Sequence, residues 1–121
     1  MYIGVYGTLR KGQRANYMMN KTGFIGTFKE ELPFIMVDLG SFPALLDSEE
    51  HKFAVFEVYE INDNDEATLR QLDNYEGYPA FYDRKAVEIS NGMKVWFYFM
   101  KKDETAYHGN VVVDGNWLTK K

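Results

Sequence analysis

The chain has 121 residues, 45% of them hydrophobic and 17% aromatic, with a formal net charge of −4. Such a length fits one domain over residues 1–121, and the mild acidity excludes a nucleic-acid binder driven by basic charge. The absence of cysteine excludes disulfides, thiolate nucleophiles and cysteine-bound zinc, and no apolar run or leader pattern predicts a membrane span or secretion, so a cytoplasmic location is expected.

"MYIGVY" (1–6) is a short apolar run closed by Gly7 and predicts a strand entering a turn. "RANYMMN" (14–20) predicts a short helix before Gly23, followed by β-like runs at 23–28 and 33–40. "FAVFEVYEI" (53–61) is the clearest strand, rich in Val, Phe, Tyr and Ile. The period then changes: "NDNDEATLRQLDNY" (62–75) has a polar front followed by Ala67, Leu69, Leu72 and Tyr75, a helix over 65–75. Asn91-Gly92 joins "FYDRKAVEIS" (81–90) to "MKVWFYFMKK" (93–102), a strong hairpin signal.

In that last run both alternating faces are apolar, with Met93, Val95, Phe97 and Phe99 on one and Trp96, Tyr98 and Met100 on the other. An open sheet with one wet face does not need that pattern. The expectation is an α+β fold: a small mixed β-barrel or strongly curled sheet with one or two flanking helices.

Several motifs fail on their chemistry. "GTLRKGQR" (7–14) approaches a phosphate-binding loop, but Gln13 takes the lysine position and Arg14 the hydroxyl position. A simple turn or a backbone anion nest both remain open for it. His51 and His108 have no second histidine at metal-ligand spacing and are expected in exposed loops. "DNDE" (63–66) starts like a calcium loop, yet Thr68 stands where the turn glycine belongs. Ser41, Ser48 and Ser90 lack a nucleophile-elbow frame. Glu76 is different: it falls at the predicted helix end before "GYP", among aromatics, where the dipole disfavours negative charge and a raised pKa would suit proton transfer. On the residues alone, an ordinary surface acid is the favoured reading.

Motifs in combination add more. "VYGTLRKGQ" (5–13), "VFEVYEI" (55–61), "LDNYEGYPAFYDR" (72–84) and the late "GNW" (115–117) resemble the γ-glutamylcyclotransferase-like family in order and spacing. "RKGQRANYMM" resembles its γ-glutamylamine-cyclotransferase branch. The resemblance implies release of 5-oxoproline from a small-molecule γ-glutamyl substrate, the substrate's own α-amino group attacking its γ-carbonyl. It implies no protein nucleophile, metal or cofactor, no nucleic-acid or membrane partner, and a monomer or homodimer. Glu76 matches the family's acid/base, and Tyr6, Gly7, Thr8 and Leu9 match its binding loop. Tyr82 would touch substrate or position Glu76, and Arg84 would steady the fold or meet a carboxylate. Tyr98, on the aromatic strand, is a further pocket candidate.

Two departures from the pattern keep alternatives open. Phe56 stands where the family's "G-E-V-Y" has glycine, and Asn116 where it often has aspartate. A ring at 56 that narrowed the pocket would favour a non-catalytic binding module on the same fold. A transferase passing a γ-glutamyl group to a carrier-linked acceptor is a third reading.

Overall fold

The computed structural model describes residues 1–100 and 110–119. Their strands are β1 (Tyr2–Val5), β2 (Gly23–Asp38), β3 (Pro43–Glu60), β4 (Asp83–Glu88), β5 (Lys94–Phe99) and β6 (Asn110–Val111). They form one sheet in the order β4-β5-β1-β3-β2-β6, with α1 (Glu66–Glu76) between β3 and β4. β2 and β3 make a long antiparallel hairpin whose register jumps from Leu32↔Lys52 to Phe34↔Asp47. Pro33 sits at the jump; it has no N–H to give the ladder, and residues 48–51 bulge opposite it. A bulge sharpens strand twist, so the hairpin curls here.

Closure involves β1. It runs antiparallel to β3 from Tyr2↔Glu60 to Val5↔Glu57, and parallel to β5 at Tyr2↔Val95 and Ile3↔Trp96. After Val5 the chain leaves the sheet, and the start of β3 reaches past it to the end of β5: Met100 N–H donates to Leu45 O at 2.8 Å and Asp47 N–H to Met100 O at 3.2 Å. The result is a curled half-barrel with an opening where β1 departs.

Both faces of β5 are buried, each in its own core. Tyr98 and Met100 pack with Ile3, Val5, Met19 and Leu72 on the helix side. Val95, Phe97 and Phe99 pack with Leu32, Phe34, Phe56 and Val58 on the other. Each fully buried side chain of this size contributes about 1.5–3 kcal/mol relative to exposure. Gly4 makes room for this second core, because a Cβ there would meet Phe97 Cε1 at 2.3 Å.

Helix α1 starts at Asp65, whose carboxylate accepts from Thr68 N–H at 3.0 Å, and ends at Gly77 in the left-handed region, φ 71°. It runs one residue beyond the predicted 65–75, so Glu76 is its last helical residue.

The other elements differ from expectation in identifiable ways. The helix predicted over 14–20 is one 3-10 turn, Asn16–Met19; the Asn16 amide donates to Leu9 O at 2.7 Å and to Tyr59 Oη at 3.1 Å, and no side chain caps the turn. The runs 23–28 and 33–40 are a single strand, Pro33 being tolerated at the bulge. β3 begins at Pro43 rather than Phe53, so His51 is an exposed strand residue and not a loop residue. The predicted hairpin 81–90/93–102 is present over β4 and β5; residues 101–102 and His108 lie outside the described residues. β6 was not signalled at all. Phe56 packs the core: it stacks on Phe28 (5.9 Å between centroids) and meets Phe97 edge-on (5.0 Å), fully buried in the second core and absent from the cavity wall.

Candidate active site

A cavity of about 230 Å³ opens where β1 leaves the sheet. Its inner wall comes from the loop after β1, buried at Tyr6, Gly7, Thr8 and Leu9, and from Pro43, Tyr82 and Tyr98. Gly7 packs face to face with the Pro43 ring; a Cβ on residue 7 would lie 2.5 Å from Pro43 Cδ, so only glycine lets the loop approach. Among the described residues, the amides of Gly7, Thr8 and Leu9 donate to no protein acceptor, while the Gly7 and Thr8 carbonyls accept from Arg10 and Ala15 at 3.0 Å. Buried amides left unclaimed by the fold are the usual mark of an anion or oxyanion site.

What holds this loop was not legible as a motif. Arg10 Nε donates to Glu57 Oε2 at 2.9 Å, and both side chains are buried, 7% and 5% exposed. Glu57 Oε1 also accepts from Lys11 N–H at 2.9 Å and from the Tyr59 hydroxyl at 3.0 Å, and Arg10 Nη1 donates to Asn116 Oδ1 at 2.9 Å. Burial is the first cause that pushes the Tyr59 phenol up to about 12. An acid on the inward-facing register of an apolar strand was the available signal, since it demands a buried cation.

Glu76 reaches the same cavity from the end of α1. Among the described residues it makes no hydrogen bond, and burial pushes its carboxyl up from the ordinary 4.5 to about 8. Burial, rather than the helix terminus, is the cause. The tyrosines around it are tethered elsewhere: Tyr6 donates to Tyr98 O at 2.7 Å, Tyr82 to Pro43 O at 3.2 Å, and Tyr98 to Asp73 Oδ1 at 2.7 Å. Burial raises all of their pKa values, and the nearby Glu76 charge adds to each shift.

Arg84 does not line the cavity. It pairs with Asp73 (Nε to Oδ1, 3.0 Å) with its guanidinium 4.3 Å from the Tyr78 ring centroid, locking β4 to α1 one turn before Glu76. Asp73 was missed although it lies on the Glu76 face of the helix at i, i+3 spacing. Tyr75 also lines the cavity; it is half-exposed, and its hydroxyl meets Thr8 Oγ1 at 2.8 Å, joining helix to loop. Arg14, Phe42 and Phe81 complete the outer wall. Among the described residues no group of three or more acidic or histidine side chains could hold a metal ion, and no helix is long and apolar enough to cross a membrane.

The Glu76 shift has a stability consequence. A carboxyl with a raised folded-state pKa favours the fold below about 4.5, and that contribution is lost as pH rises through about 8. Glu76→Gln, neutral throughout, should therefore gain melting temperature relative to wild type across that window. Paired thermal melts check it; a constant gap would mean that Glu76 titrates as it does in the unfolded chain.

Known proteins are similar to this chain in sequence and fold. A Vibrio cholerae protein named "Putative gamma-glutamylcyclotransferase" is 34% identical over 98% of this chain and 96% of its own. The γ-glutamylaminecyclotransferase of Rattus norvegicus is 33% identical over 73% of this chain and 62% of its own. The crystal structure of an AIG2-like protein from Mus musculus superposes with a TM-score of 0.62 at 29% identity, over 82% of this chain and 76% of that one. The family model described as "Gamma-glutamyl cyclotransferase, AIG2-like" matches residues 3–119. By these matches over nearly its whole length, the chain belongs to the AIG2-like γ-glutamyl cyclotransferase family.

Proposed function

We propose that the cavity cyclises γ-glutamyl amides, releasing 5-oxoproline and the free amine, with Glu76 moving the proton. The observation that carries this reading is a carboxyl poised at about 8 in the same cavity as the unclaimed amides of Gly7, Thr8 and Leu9. The Glu76 carboxylate takes a proton from the substrate's α-ammonium, and the freed amine forms a C–N bond to the γ-carbonyl carbon. Negative charge moves to the carbonyl oxygen, where loop amides can receive it. As the tetrahedral centre collapses, Glu76 returns the proton to the leaving nitrogen and the bond to it breaks; the restored carboxylate takes the second proton from the ring nitrogen, giving the neutral lactam, and that proton ends on the freed amine as an ammonium. The nucleophile is tethered, so holding a cyclisable conformer can supply up to about 7–11 kcal/mol of the barrier reduction. The name of the rat relative supports an amine as the leaving group. The binding-module alternative rested on Phe56 crowding the pocket, and Phe56 is buried in the other core.

The direct test is 5-oxoproline release from ε-(γ-glutamyl)lysine, a γ-glutamyl alkylamide, a γ-glutamyl amino acid and glutathione, each beside Glu76→Gln. Release from at least one, lost in the variant, is expected; no release from any by folded protein overturns the reading. The pH profile is a second expectation. Because the free carboxyl must ionise first, kcat/KM should rise through an apparent pKa near 8. The bound ammonium favours the carboxylate, so the corresponding limb of kcat should lie at lower pH. Rates on both parameters that are flat from mildly acidic to mildly basic pH would remove Glu76 from the proton path.

A further inference from the structure

Among the described residues, two charged side chains stand in the cavity wall, Glu76 and Arg14. Glu76 is accounted for by the substrate's α-ammonium under the reading above, on which this inference rests. Arg14 is not accounted for. It lies outside the buried loop, in the exposed outer wall with Phe81, which is 54% exposed. Its Nη1 donates to Ser41 O at 3.1 Å, which fixes the guanidinium near the opening, and among the described residues it pairs with no acid. Arg14 is also not among the causes of the Glu76 shift, as expected for a cation set away from the reacting end.

A substrate whose γ-carbonyl lies between Glu76 and the loop amides sends its leaving group toward this opening. Arg14 supplies a cation there with most of its donors uncommitted, and a guanidinium fork matches a carboxylate in geometry. We infer that Arg14 is a specificity-determining residue that selects γ-glutamyl compounds whose leaving amine carries an anionic group and disfavours those carrying a second cation.

The test uses a matched pair, γ-glutamylalanine and γ-glutamylalaninamide, which differ in that one charge, together with γ-glutamylputrescine as the cationic probe. Wild type should turn over the carboxylate compound with a kcat/KM about fivefold to tenfold above the amide, a range suited to an exposed but held charge pair, and the cationic compound should be slowest. Added salt should shrink the preference. Arg14→Gln should bring the alanine-to-alaninamide ratio close to one, and Arg14→Glu should invert the order toward the putrescine compound. A wild-type ratio near one overturns the inference. So does an Arg14→Gln variant that slows both members of the pair equally, which would place the guanidinium on the γ-glutamyl carboxylate instead. If folded protein releases 5-oxoproline from none of these or of the broader panel, the cyclotransferase reading falls as well; turnover without charge preference overturns the Arg14 assignment alone.

Discussion

Substituting Glu76 by Gln should lower kcat/KM for 5-oxoproline release by about 100- to 10,000-fold, the usual contribution of a positioned general acid/base. The change keeps size and shape while removing the ability to hold a proton. It should leave the fold intact, because the carboxyl makes no hydrogen bond among the described residues and its burial already disfavours charge. Residual turnover would come from holding the cyclisable conformer, which on the proposed reading needs the loop and the tyrosine wall but not Glu76. Glu76→Asp should recover only part of the loss, since the shorter side chain withdraws the acid from a site fixed by the end of α1. Initial rates beside far-ultraviolet circular dichroism decide the matter. A folded Gln variant within about tenfold of wild type would eliminate the proton-transfer role.

The second large effect is on stability. Arg10→Ala or Glu57→Ala should each destabilise the fold by about 3–5 kcal/mol, because either leaves a buried charge without its partner. For a chain of this size that corresponds to a fall in melting temperature of roughly 10–20 °C. The Glu57 change should be the worse of the two, since it also orphans Lys11 N–H and the Tyr59 hydroxyl. Combining Arg10→Met with Glu57→Leu should cost less than the sum of the corresponding single changes, as expected when two charges leave together. Additive losses in that cycle would show that the pair is not coupled. Arg10→Lys separates charge from geometry: it keeps the cation but cannot serve Glu57 and Asn116 from one planar fork.

The parts of the fold legible in the sequence were those fixed by local chemistry. Asn91-Gly92 declared the β4–β5 hairpin, the polar front of 62–66 declared the start of α1, and the doubly apolar run of β5 declared a sheet buried on both faces. The first half of β3 was illegible because "DSEEHK" carries no strand signal; β2 and Met100 hold its start up to Asp47, residues 48–51 bulge, and pairing with β2 resumes at Lys52. Pro33 split one strand into two on paper because a register bulge cannot be seen from one strand. At the candidate site, the paired motifs drew attention to the loop and to Glu76, whereas Arg10–Glu57 and Asp73–Arg84 depend on which strands lie side by side. Arg14 carried only its failure to fit a phosphate loop, and its place in the outer wall depends on a contact with Ser41 O, 27 residues away.

The Arg10–Asn116 contact joins residues 106 positions apart. A chain emerging from the ribosome would therefore present its loop after β1 early and complete the loop's support late. Arg10 can meet Glu57 once β3 has formed, but its Asn116 acceptor follows β6 in the chain, beside Gly115, whose O also accepts from Val55 N–H at 2.8 Å. Long-range closures of this kind slow folding because chain entropy is lost before the contacts form. Full support of this loop should thus appear only after residue 116 has been made, when the strands of the sheet are already available.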